Sequence, residues 1–146
     1  MLRRIMSFLV FFLVLLPNLG WPEPERFTVG GEISFTKTGD LYVELVTEQE
    51  FESDKTFAFR LILKLTPVDV DKGKTSFTFQ NVPRGTYGIQ CFQDVNGNGK
   101  LDTGIFGPKE PWGNYRPKRP TFRAPKFEEI AFRLEKDTTD IQIEVK

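Results

Sequence analysis

Phe57-Ala58-Phe59-Arg60-Leu61-Ile62-Leu63-Lys64-Leu65 alternates without a break. Phe57, Phe59, Leu61, Leu63 and Leu65 fall on one side of an extended chain, and Ala58, Arg60, Ile62 and Lys64 fall on the other. A period of two sends successive side chains to opposite faces of a pleated strand, so this stretch is a strand with one face toward a core. Pro67 ends it, because proline cannot donate to a ladder.

The same rhythm recurs on both sides. Upstream, Leu41, Val43 and Leu45 alternate with an outward Tyr42 and Glu44. Before them Phe27, Val29, Ile33 and Phe35 share one parity, with a bulge expected at Gly30-Gly31 and a turn at Thr38-Gly39-Asp40. Thr47 to Lys55, with Glu48, Glu50, Glu52 and Asp54, reads as a solvated acidic loop. Downstream, Asp69 to Lys74 is a polar turn and Phe77 and Phe79 mark a strand. Val82-Pro83-Arg84-Gly85 fits a type I turn, and Tyr87, Ile89 and Cys91 lead inward toward Asp94. Two late strands, Glu129 to Leu134 and Thr138 to Val145, are separated by a turn at Asp137. No segment holds a helical period over ten residues. About seven short strands with glycine and proline turns predict one all-β domain, an antiparallel Greek-key β-sandwich of immunoglobulin-like kind.

One segment interrupts the pattern. A long loop is expected over residues 94–128, and Gly97 to Lys126 within it carries no strand signal. Loops of that length in a compact domain are usually functional or disordered. Trp112, Tyr115, Phe122 and prolines at 108, 111, 117, 120 and 125 favour an ordered flap.

The loop begins with Asp94-Val95-Asn96-Gly97-Asn98-Gly99-Lys100-Leu101-Asp102. Oxygen-bearing side chains stand at alternate positions, Asp94, Asn96 and Asn98. Gly99 follows at the sixth place, the Lys100 carbonyl at the seventh and Asp102 at the ninth, as in a calcium loop of the EF-hand kind. That spacing lets a short loop wrap a hard cation at ~2.4 Å. Ile105 occupies the twelfth place, where a bidentate glutamate belongs, so the expected site is weak and structural, with Kd on the order of 10⁻⁴ to 10⁻³ M. Glu110 is a candidate further ligand by its nearness in sequence. Two turn dipeptides, Asn96-Gly97 and Asn98-Gly99, also fit a plain hairpin turn.

Further along, Lys109, Arg116, Lys118, Arg119, Arg123 and Lys126 interleave with Trp112, Tyr115 and Phe122. Such a surface suits an acidic glycan or another polyanion. Trp112, Tyr115, Arg116, Lys118, Arg119, Phe122 and Arg123 are the candidate binding residues. The alternative has the aromatics pinning the flap while the cations face water, opposite Glu48 to Asp54.

The ends and the composition narrow the class. The chain has 146 residues and zero formal charge. Met1 to Arg4 is a basic start, Ile5 to Leu16 an apolar run too short to span a bilayer comfortably, and Pro17 to Gly20 a closing segment. Residues 1–20 therefore read as a signal peptide, 21–26 as a leader and 27–146 as the domain. The expected product is periplasmic or extracellular, carries no membrane span after cleavage, and is not lipidated, since no cysteine lies near the cut. Cys91 is the single cysteine, so an intramolecular disulfide is excluded and a buried, inert thiol is expected. The absence of histidine removes Ser-His-Asp and Cys-His catalysis and histidine-ligated zinc. A carboxylate-driven glycan hydrolase is what remains on the enzymatic side.

Phe79 to Tyr87 and Asp94 to Asp102, taken together, resemble a family of exported bacterial proteins, domain of unknown function 2141. The likeness continues through Phe106-Gly107-Pro108-Lys109-Glu110-Pro111-Trp112-Gly113 and Ala124 to Phe132. Asn114 to Arg119 departs from the family's polar run. The resemblance covers roughly residues 27–146 and implies a non-catalytic, prealbumin-like sandwich of unassigned role. The expected function is an exported accessory or binding module with a weak calcium loop. Its expected partner is an acidic glycan or another envelope protein rather than nucleic acid.

Overall fold

The computed structural model describes residues 23–53, 57–116 and 123–146. The expected signal peptide, part of the leader, and Lys118, Arg119 and Phe122 lie outside the described residues. In chain order the elements are β1 (Arg26–Ser34), β2 (Asp40–Val46), α1 (Glu48–Ser53), β3 (Phe59–Leu63), α2 (Pro67–Lys72), β4 (Lys74–Pro83) and β5 (Gly85–Asp94). Then follow β6 (Thr103–Gly104), β7 (Gly107–Pro108), β8 (Trp112–Asn114), α3 (Phe127–Ile130), β9 (Phe132–Leu134) and β10 (Thr138–Glu144).

The alternating runs pack as two sheets. One has the order β10-β1-β4 and the other β3-β2-β5-β8, with β9 also on β5. The inward parity of each strand supplies the core between them. Val29, Ile33, Leu41, Val43, Leu45, Phe77, Phe79, Ile89, Ile141 and Ile143 are buried there, with Cys91 among them. The fold is an all-β sandwich. β1 pairs with β10 in parallel, while its other neighbour, β4, is antiparallel. The register shift between Val29 and Gly31 on the β10 side lies at the bulge expected for Gly30-Gly31.

The chain crosses between sheets at Pro83-Arg84-Gly85, where β4 ends in one sheet and β5 begins in the other. The Tyr87 hydroxyl donates to the Pro83 carbonyl at 3.0 Å and braces that corner. β5 is the hub of its sheet. β2 runs along one edge, and β9 and β8 share the other, at Gly85–Tyr87 and Gln90–Phe92 respectively.

Several local expectations differ from the structure. The opening strand is shorter than its alternation, since Phe57 and Leu65 fall outside β3, an edge strand whose inward residues are only half-buried. The expected acidic loop holds α1, and the expected polar turn after Pro67 is α2. Helices of about six residues carry no readable period, so only their caps show in sequence. At α2 the Asp69 amide donates to Thr66 Oγ1 at 3.2 Å, the Thr66 amide donates to Asp69 Oδ2 at 2.9 Å, and Gly73 closes the helix at φ 64°. Thr47 and Glu50 make the same reciprocal bonds at α1, 2.8 and 3.3 Å long. The strand expected from Glu129 starts only at Phe132, because Phe127–Ile130 turns as α3 and buries Phe127 and Ile130. The segment expected to lack strands contains β6, β7 and β8, pieces too short for a period of two to register.

Candidate metal centre

β5 ends at Asp94, which stands opposite Asp40 of β2 and is 4% exposed. Its carboxylate gathers the loop that follows. Gly97 and Asn98 donate their amides to Oδ1 at 2.8 and 3.1 Å, and Gly99 donates to Oδ2 at 2.7 Å. Gly97 and Gly99 both have φ 75°, a left-handed conformation that glycine adopts without a Cβ clash. Both turn dipeptides are thus realised, around a buried carboxylate.

The remaining expected ligands converge on Asp102. Asn96 Nδ2 lies 2.6 Å from its Oδ2, and Asn98 Nδ2 lies 3.1 Å from each of its oxygens. Asn98 Oδ1 accepts the Lys100 amide at 2.9 Å. Lys100 is exposed. Ile105, in the twelfth place, sits at the tip of the β6–β7 hairpin and is 97% exposed, far from any ligand role.

Glu110 returns to the loop. It is 8% exposed, and it accepts the Val95 amide on Oε1 at 2.8 Å and the Asp102 amide on Oε2 at 3.1 Å. The Lys109 amide donates to the Asp102 carbonyl at 2.7 Å, closing the same junction. Asp94, Asn96, Asn98, Asp102 and Glu110 are therefore brought together. Among the described residues no three His, Cys, Asp or Glu side chains form a metal-holding group, so a cation here would rely on amide and main-chain oxygens as well. A carboxylate has about four acceptor positions. Asp94 fills three with amides and Glu110 two, which leaves capacity on both.

The basic and aromatic residues divide. Tyr115 packs edge-on to Phe132 at 5.3 Å and its amide donates to the Ile89 carbonyl at 3.0 Å, so it pins the flap to β5. Trp112 faces Phe92 in the β5–β8 register, and its amide and carbonyl meet Lys146 at 3.3 Å. Gly113 lies so close to β10 that a Cβ would stand 2.3 Å from the Glu144 carbonyl oxygen. Arg123 pairs with Glu129 through both terminal nitrogens at 2.7 and 2.8 Å. That pairing, with the Lys126 amide, pulls the Glu129 pKa down to about 2. Arg116 is exposed, takes φ 65°, and stands 6.0 Å over the Tyr115 ring.

Two features were not legible. Glu44, expected outward, is on that face but only 3% exposed. Arg60 lies over it in a close ion pair, with Nε at 2.8 Å, and Gln90 Nε2 donates to it at 2.7 Å. Asn114, next to Gln90 in register, is 2% exposed, and its side-chain nitrogen and oxygen have no hydrogen-bond partner among the described residues. Polar residues at alternate positions read as solvent-facing, so this buried row has no signature. Burial, and then the nearby Glu44 charge, push the Cys91 thiol far above its ordinary pKa, as an inert core thiol requires.

A β-sandwich with an amide-wrapped aspartate loop defines the class. The family of uncharacterized proteins conserved in bacteria (DUF2141) matches residues 34–142, which include the loop, Glu110 and most of the strands. The chain belongs to that family. Comparison with curated proteins gave no match, and comparison with solved structures gave none.

Proposed function

We propose that this chain is an exported, non-catalytic accessory or binding module, in which the Asp94 loop is a weak calcium clasp that fixes the root of the long flap. One observation carries the reading: Asp94, Asn96, Asn98 and Asp102 close into a single loop whose two ends are held by Glu110. A plain hairpin turn needs neither the second aspartate nor a glutamate returning from eight residues beyond it. The non-catalytic part rests on the sequence, which has no histidine to build a Ser-His-Asp or Cys-His centre. Export rests on the signal pattern of residues 1–20.

Calcium titration of the chain from residue 21 tests this. Kd on the order of 10⁻⁴ to 10⁻³ M is expected, and calcium at about ten times Kd stabilises the fold by about 1.4 kcal/mol. Asp102→Ala, which removes a half-buried ligand, abolishes that gain. An unchanged melt in calcium and in EGTA counts against the clasp.

A second reading, polyanion or glycan binding, is favoured by an open groove of about 430 Å³ between Arg116 and Arg133, lined also by Thr86, Tyr115, Phe132 and Thr138. Arg116→Ser weakens retention on heparin if that groove is used, and salt-insensitive passage of the native chain disposes of it.

A further inference from the structure

Ile105 and Phe106 form the turn of the β6–β7 hairpin, and both are fully exposed, at 97% and 104%. A water-soluble surface rarely carries two adjacent large apolar side chains so completely in solvent. They are not left there by slackness. The hairpin's root is fastened by the Lys109 amide on the Asp102 carbonyl and the Asp102 amide on Glu110, so the tip is held out on a braced stalk. Val95, 46% exposed, belongs to the same end of the molecule.

Lys100 and Lys109 are exposed. Of the acids nearby, Asp94 and Glu110 are buried on backbone amides, and Asp102 is half-buried and takes the two asparagine side chains. What faces outward is an apolar point, with the Lys109 side chain packed along Gly104 at its root and Lys100 exposed in the loop before it. Protein partners are a poor fit, because two such side chains offer on the order of 400 Å², about half of the roughly 800 Å² each partner buries in a stable interface. A lipid interface needs no matching shape, and its anionic headgroups attract the lysines.

We propose that the Ile105-Phe106 tip inserts into the interface of an anionic lipid bilayer, with Lys100 and Lys109 against the headgroups. The insertion is weak and reversible. It does not depend on the calcium reading, so binding is measured in EGTA and again in calcium. The core runs from Val29 to Val145, so a chain starting at residue 21 suits the assay and avoids the apolar run before it.

The test is sedimentation with vesicles of phosphatidylglycerol and phosphatidylethanolamine, and with phosphatidylcholine alone. The native chain is expected on the anionic vesicles, less so as salt rises, and weakly on the neutral ones. Phe106→Ser and Ile105→Ser each lower partitioning about tenfold or more while melting as the native chain does, since neither residue is in the core. Lys109→Gln lowers it about fivefold. Three results overturn the proposal: no binding of the native chain to anionic vesicles, equal binding by the serine variants, or a native dimer that Phe106→Ser makes monomeric without any vesicle binding.

Discussion

Glu110 joins chain segments that are otherwise separate, because its two oxygens hold the amides of Val95 and Asp102. Removing a buried charged acceptor leaves those donors unpaired, so Glu110→Ala is expected to cost about 2–3 kcal/mol by urea denaturation. A midpoint equal to that of the native chain contradicts this role. Cys91 makes the opposite prediction. Its buried, upshifted thiol stays unmodified by alkylating reagents at pH 8 in the folded chain and reacts once the chain unfolds. At this scale the gathering of Asp94, Asn96, Asn98 and Asp102 was readable from sequence, because the four stand within one short loop. The amide bonds of Glu110 and the burial of Glu44 were not, since both depend on what another segment places on top of them.

Among the elements, β8 and α3 decide how the flap returns to the sandwich. Glu129, in α3, is tied to Arg123 and to the Lys126 amide. Its pKa in the folded chain, about 2, lies below the ordinary 4.5, so the tie contributes fully above pH 4.5 and is lost as the pH falls toward 2. Arg123→Ala should move the Glu129 titration, followed by carboxyl NMR shifts, back toward 4.5, and an unmoved midpoint rules the tie out. Gly113→Ala should detach β8 from β10, because the added Cβ meets the Glu144 carbonyl at 2.3 Å. Loss of protection from exchange at the Trp112 and Lys146 amides would show it. The long strands were legible because a half-buried strand writes its period in the sequence. The two- and three-residue strands and the helices of four to six residues were not, because neither is long enough for its period to repeat.

Across the whole molecule, β5 sets the arrangement. Its inward residues build the core, its edges hold β2, β8 and β9, and its end delivers Asp94 where the flap departs. The sandwich was foreseeable from parity and turns, whereas the parallel β1–β10 pair was not, since strand direction depends on which edges remain open after the other strands have paired. The same end of the molecule holds the aspartate loop, its Glu110 clasp and the exposed hairpin. An amide-resolved NMR titration with calcium tests the clasp most directly. Shifts confined to Val95, Gly97, Asn98, Gly99 and Asp102, saturating at millimolar calcium and absent from Asp102→Ala, are the expected result. Unmoved amides in this loop at tens of millimolar calcium would contradict it.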